Sequence, residues 1–168
     1  MDYEVMMNGI VKMGEFAPDF EANSTMGMIK LSNYKEKWIV LFSYPGDFSS
    51  VCTTEIIEFS RANDIFKKKN AQLIGLSIDS NSSHLAWAYD IFLRTGIKVT
   101  FPIIADRIGK IARKYGMISN SVDNISTLRN VYIIDDKGVI RAILVYPMEL
   151  RKEYSGNYKN IRWITILW

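Results

Sequence analysis

Regular patterning in the chain is clearest at Trp38-Ile39-Val40-Leu41-Phe42, an unbroken apolar run of strand length. A run without polar alternation suits a strand buried on both faces, as in a parallel sheet. Pro45-Gly46 breaks it, and beyond residue 52 the positions Ile56, Ile57, Phe59, Ala62, Ile65 and Phe66 recur at helical spacing, which predicts an amphipathic helix starting close to that point. Gln72-Leu73-Ile74-Gly75-Leu76-Ser77-Ile78 reads as a second buried strand, residues 79–83 as a polar loop, and residues 83–95 as a second helix. Strand, helix, strand, loop, helix is the order of a βαβ unit with parallel pairing.

The flanking segments add smaller pieces. Residues 17–31 carry Pro18, Asn23-Ser24 and Met26-Gly27 between short apolar stretches and predict a β-hairpin, with Leu31-Ser32-Asn33-Tyr34 offering turn or capping residues before the buried strand. Phe101-Pro102-Ile103-Ile104 allows a short strand at most, because of its proline. Residues 106–115 predict a helix closed by Gly116, and residues 130–135 and 139–146 predict an antiparallel pair joined by Asp136-Lys137-Gly138. The sum is one α/β domain with a central mixed sheet, helices on both faces and an N-terminal hairpin.

Composition changes this picture little. At 168 residues the chain has length for one substantial core, and 48% hydrophobic with 23% charged residues is ordinary for a globular protein. A net charge of +3 is too slight and dispersed to argue for nucleic acid; Lys67-Lys68-Lys69 closes the first helix, where cations suit the dipole. No segment approaches the ~20 apolar residues of a membrane span, and the acidic Asp2 and Glu4 do not suit an export signal. With one cysteine, a cytoplasmic setting is expected.

That cysteine is where chemistry enters. Cys52 falls in or just before the first turn of the predicted helix, after an apolar strand and a Pro-Gly turn. Unpaired N–H groups and the positive end of the macrodipole favour a thiolate there, and a nucleophilic sulfur is the functional reading. A small buried hydrophobe is the other reading that position alone leaves open. A single cysteine excludes an intrachain disulfide and a multi-cysteine metal site. His84, the one histidine, invites pairing with Cys52 as in a thiol hydrolase, but a locally bonded histidine at a helix start is the reading favoured here.

Pro45-x-x-x-Ser49-x-x-Cys52 resembles the P-x-x-x-[T/S]-x-x-C active-site signature of peroxiredoxins, the thiol peroxidases of the AhpC/TSA family with a thioredoxin-like fold. The segments G-L-S-I-D-S-N-S-S-H-L-A-W (75–87), F-P-I-I-A-D (101–106) and T-L-R-N-V-Y-I-I-D-D-K-G-V-I-R (127–141) follow in the family's order and spacing. Among its branches the chain is most similar to the single-cysteine, peroxiredoxin 6-like one.

The resemblance implies a reaction and roles. Cys52 would attack a peroxide and become a sulfenic acid, which an external thiol reduces, without metal, haem or flavin. Hydrogen peroxide and small organic hydroperoxides would be substrates, and a homodimer or higher homo-oligomer the assembly. Arg129 would lie beside the thiolate and peroxide, where its fork of donors stabilises charge; without the resemblance it would read as a surface residue at a strand end. Pro45 would shield the sulfur, Ser49 would hold a peroxide oxygen, and Glu55 would order the arginine. His84 would be a structural and interface residue.

Several positions depart from the family's pattern. Ser49 stands where threonine is usual, losing the β-branch that fixes the rotamer. Tyr44 stands where the peroxiredoxin 6-like branch has a histidine linked to handling the oxidised cysteine. Residues 1–150 match the peroxiredoxin domain, but relatives continue with a helix reading like G-R-N-x-x-E-I-x-K-x-L, whereas residues 151–168 do not. Back-translated with allowed codons and read one nucleotide later, residues 151–168 spell E-R-N-I-V-E-I-I-K-I-L-D-G-L-Q-Y-S, so this tail reads as a frameshift product. The changes at Tyr44, Ser49 and the tail also suggest a rival, a non-peroxidatic, chaperone-like oligomer. No G-x-S-x-G pattern occurs, and no phospholipase activity is expected.

Overall fold

The computed structural model describes residues 11–118 and 126–146; the tail at 151–168 lies outside them. A seven-stranded sheet runs through the molecule in the order β2-β1-β5-β4-β3-β6-β7. Its strands are β1 (Glu21–Ser24), β2 (Gly27–Lys30), β3 (Trp38–Ser43), β4 (Ala71–Ser77), β5 (Ile103–Ala105), β6 (Arg129–Ile134) and β7 (Ile140–Tyr146). The helices are α1 (Ser50–Lys68), α2 (Asn81–Thr95) and the short α3 (Lys110–Lys114), with a 3₁₀ turn at Leu31–Tyr34. The predicted hairpin is β1–β2, and the 136–138 turn joins β6 to β7 as expected.

β3, β4 and β5 are parallel to one another, while β6 returns antiparallel to β3 and β1 antiparallel to β5. The central strands alternate between two cores, which is why their sequences show apolar residues without interruption. Val40 and Phe42 of β3 pack with Leu73, with Ile56 and Phe59 of α1, and with Trp87 and Ile91 of α2. Ile39 and Leu41 face the other way, toward Ile74, Leu76, Tyr132, the α3 residues Ile111 and Ala112, and Phe20. Phe42 stacks on Phe59 at 4.2 Å between ring centroids, which fixes α1 over β3.

Two expected boundaries change. The helix expected over 106–115 shrinks to Lys110–Lys114: Gly109, at φ 67°, turns the backbone left-handed, and the Asp106 carboxylate instead accepts from the Ala112 N–H at 2.7 Å. The polar loop after β4 is shorter than expected, because Ser80 caps α2 by accepting from the Ser83 N–H at 3.1 Å. Serines 82 and 83 therefore belong to the first helical turn.

Candidate active site

Ser49 ends the loop after β3 and caps α1, its Oγ accepting from the Cys52 N–H at 3.2 Å. Cys52 is the third residue of α1 and fully buried. The expected position at a helix start is thus observed, with the N-cap serine satisfying the donor of the cysteine itself. Thr53 Oγ1 donates to the Ser49 carbonyl at 2.7 Å, reinforcing the same turn.

Arg129 arrives from far along the chain. Because β6 runs antiparallel to β3, Ser43 at the end of β3 lies opposite Asn130 near the start of β6. Ser43 Oγ donates to the Leu128 carbonyl at 2.6 Å and accepts from the Asn130 N–H at 3.3 Å, while Thr127 Oγ1 donates to the Tyr44 carbonyl. These bonds hold the β6 start against the chain that leads to Cys52. The Arg129 side chain, 5% exposed, bridges two groups: one terminal nitrogen donates to Glu55 Oε2 and the other to Cys52 Sγ at 3.4 Å. The fixed fork of a guanidinium allows this double contact. Its Nε, also buried, has no hydrogen-bond partner among the described residues. Arg129 is therefore buried rather than a surface strand end, and a cationic donor faces the sulfur.

Tyr44 is buried too, and its hydroxyl donates to Asp47 Oδ1 at 2.8 Å. Burial, the Asp47 charge and that hydrogen bond hold the phenol well above its usual range, against a smaller lowering by Ser77. Tyr44 thus stays a donor and cannot act as a base. Pro45 and Gly46 are half-buried in the same loop.

The expectation of a locally bonded His84 is corrected. Its ring is fully buried, Nδ1 lies 2.8 and 3.0 Å from the Asp47 carboxylate oxygens, and Nε2 donates to the Ile104 carbonyl at 3.1 Å. A buried imidazole needs partners for both nitrogens, and the nearest acceptors are far away in sequence. With both nitrogens engaged, the ring is not free to take a proton from Cys52.

Sequence reasoning missed Asp47 and Asp79 as site residues. Asp79 Oδ2 accepts from the Asp47 N–H at 2.9 Å and from Ser77 Oγ at 2.8 Å. Both aspartates lie in loops at the carboxyl ends of parallel strands, the place where sites form in such sheets, and that signal was legible. Among the described residues no group of three or more His, Cys, Asp or Glu side chains is placed to hold a metal ion, and no helix is long and apolar enough to cross a membrane.

Comparison with known proteins agrees with this geometry. Residues 13–143 match the AhpC/TSA family. Peroxiredoxin 2 of Caldanaerobacter subterraneus subsp. tengcongensis is 55% identical over 139 residues, 83% of this chain and 63% of the relative. Peroxiredoxin 2 of Picrophilus torridus is 45% identical over 94% of this chain and 78% of the relative. Among solved structures, yeast mitochondrial 1-Cys peroxiredoxin superposes with a TM-score of 0.79 at 36% identity, over 94% of this chain and 76% of that one. A cysteine-to-serine mutant of peroxiredoxin 6 from Arenicola marina gives 0.76 at 35% identity, over 82% of this chain and 66% of that one. The match to the first relative spans under two thirds of its length. Sheet order, the helices on both faces and these superpositions establish the thioredoxin-like fold, and the chain, whose single cysteine fits the 1-Cys type, belongs to the AhpC/TSA family of peroxiredoxins.

Proposed function

We propose that the chain is a thiol-dependent peroxidase that reduces hydrogen peroxide and small organic hydroperoxides through Cys52. The observation that carries the reading is the contact of Arg129 with Cys52 Sγ, made while the same guanidinium holds Glu55 and keeps Nε unspent. The thiolate attacks the terminal oxygen of ROOH, the S–O bond forms as the O–O bond breaks, and RO⁻ leaves to take a proton. Arg129 is suited to the charge that passes from sulfur to the departing oxygen. Ser49 caps the turn that carries Cys52, Pro45 belongs to the loop before it, and burial of Cys52 favours small oxidants.

The product, Cys52–SOH, meets no second cysteine in the chain. A thiol RSH condenses with it to Cys52–S–SR and water, and a second thiol releases Cys52 as RSSR forms. The solved yeast mitochondrial relative is described as resolved through glutathione and thioredoxin systems, and a reductant of that chemical class is proposed here. A cytoplasmic homodimer completes the reading; β7, at the edge of the sheet among the described residues, presents an open strand edge for a second copy.

Mass spectrometry of Cys52 after one equivalent of peroxide tests the proposal, with Arg129→Ala as comparison. Expected is rapid gain of one oxygen on Cys52 and marked slowing in the variant. An unreactive cysteine, or no slowing without the arginine, overturns the reading and leaves the non-peroxidatic oligomer.

A further inference from the structure

The family signature accounts for the residues around the sulfur, but not for a second polar cluster on the far side of the same loop. Asp47 lies between Pro45 and Ser49, and its carboxylate is gripped by two buried side chains, Tyr44 and His84. His84 and Asp47 side chains are 0% and 2% exposed. His84 stands on α2 and is tied on its other side to the Ile104 carbonyl of β5. The loop is thus anchored, through one carboxylate, to two elements packed in the core.

A second tether comes from the same helix one turn later. Trp87 Nε1 donates to Thr53 Oγ1 at 3.1 Å, and that hydroxyl in turn donates to the Ser49 carbonyl. α2 therefore holds the turn bearing Cys52 at both ends: His84 through Asp47 before it, Trp87 through Thr53 just after it. The Asp47 carboxylate lies 2.8 Å from Nδ1 and the Ile104 carbonyl 3.1 Å from Nε2, so His84 spans the loop and β5 through its two nitrogens. Losing the ring as a partner is costly, since the Asp47 side chain, 2% exposed, stays buried with one partner fewer.

Cys52 is fully buried, so a thiol much larger than a peroxide reaches its sulfur only when this turn opens. Building on the peroxidase reading, we propose that His84 is a positioning residue: through Nδ1 and Asp47 it sets how often the turn bearing Cys52 opens. When the closed form dominates, weakening the hold multiplies the small open population while barely reducing the closed one. Reactions that need the open turn then accelerate, and reaction with a small peroxide changes little.

Two isosteres separate the nitrogens of His84. His84→Asn keeps a donor near the position of Nδ1 and gives up the bond to Ile104; His84→Gln keeps a donor near Nε2 and gives up Asp47. The probe is 4,4′-dithiodipyridine labelling of reduced Cys52, a thiol–disulfide exchange that uses no peroxide and so stands apart from the peroxidase reading. Loss of the contact between Nδ1 and the Asp47 carboxylate is expected to raise the labelling rate of His84→Gln about tenfold, with His84→Asn within about twofold of the parent. The initial rate of Cys52 oxidation by hydrogen peroxide should stay within about threefold in both variants. Equal labelling in all three proteins overturns the proposal, as does equal acceleration in both variants, which would mean a general loosening of α2. If His84→Gln does not fold, Asp47→Asn approaches the same bond from the loop; faster labelling supports the assignment and parent-like labelling overturns it. A parent whose Cys52 labels as described but ignores peroxide defeats the peroxidase reading alone.

Discussion

Replacing Arg129 by lysine tests the site at its most informative point, because it keeps the charge and removes the fork. The guanidinium contacts Glu55 and Cys52 Sγ through different nitrogens at the same time. An ammonium is a single compact charge on a flexible stem and cannot reproduce both contacts in fixed directions. Removing one preorganised donor from a developing anion costs roughly 10²–10³ in rate. Because lysine retains the cation, the lower end applies, about 100-fold or ~2.7 kcal/mol of barrier at 1.36 kcal/mol per tenfold. Glu55 keeps a nearby cation and is itself partly exposed, at 23%, so the fold should survive. Stopped-flow mixing with hydrogen peroxide measures the second-order rate directly. Trp87 provides a reporter, since its ring lies by Tyr44 and Phe48 and its N–H is bonded to the neighbour of Cys52. Circular dichroism and the thermal midpoint control for folding. A folded Arg129→Lys protein that reacts within about threefold of the parent would refute the role assigned to the fork.

The remaining predictions are briefer. Ser49→Thr should react with peroxide about threefold faster than the parent, because the β-branch restricts χ1 of the cap that accepts from the Cys52 N–H; a threonine variant no faster in the same stopped-flow assay counts against it. Burial pushes the Asp135 carboxyl up, but hydrogen bonds from the Val139 N–H, Arg141 and the Lys137 N–H outweigh this and leave it below its usual value. Its folded-state value being depressed, Asp135 contributes stability above about pH 4 and loses it as pH falls lower. Thermal melts should therefore show a shallower acid limb for Asp135→Asn than for the parent, and parallel limbs would contradict this. Gly109→Ala should lower the thermal midpoint, since φ is +67° and a Cβ would lie 2.7 Å from Ile118 Cδ1; an unchanged midpoint would show that the loop relaxes freely. Resequencing the locus is proposed to restore the frame in which residues 151–168 give the family-like helix, and an unbroken frame in independent isolates removes that idea.

What the sequence made legible was set by local patterning. The apolar run of β3, the helical spacing after Cys52 and the Pro-Gly break together located Cys52 at a helix start. Gly109 shows where local pattern fails: residues 106–115 have helical periodicity, but one left-handed residue and a side-chain acceptor at Asp106 shorten the helix to five residues. The partners of His84 were hidden for a different reason. Its bonds reach 37 residues back to Asp47 and 20 forward to the Ile104 carbonyl, and neither distance follows from spacing. Only the packing of α2 against β5 and the β3 loop brings those acceptors to the ring. Asp47 was overlooked because a lone acidic residue after Pro-Gly looks like solvated turn chemistry.

The site also depends on strand direction, and this explains why a family pattern singles out Arg129 while its place at a strand end suggests only a surface residue. In the antiparallel register observed, Asn130 is opposite Ser43 and Ile134 is opposite Ile39. Were β6 parallel to β3, its first residue would fall near Trp38, about 17 Å from the end of β3 at ~3.3 Å per residue, out of reach of Cys52. Direction alone does not suffice, since successive side chains point to opposite faces. Val131 and Ile133 join the core beneath α1 and α2, while Tyr132 and Ile134 join the core on the other face. Arg129 shares the parity of Val131 and so emerges on the side of Cys52; Asn130 has the opposite parity, and its side-chain amide donates to the Gly116 carbonyl at 3.4 Å instead. A one-residue slip in β6 would exchange these two side chains and bury an amide where the cation is needed. The apolar residues that follow in β6 thus do more than fill the core: by fixing register they place the guanidinium against the sulfur.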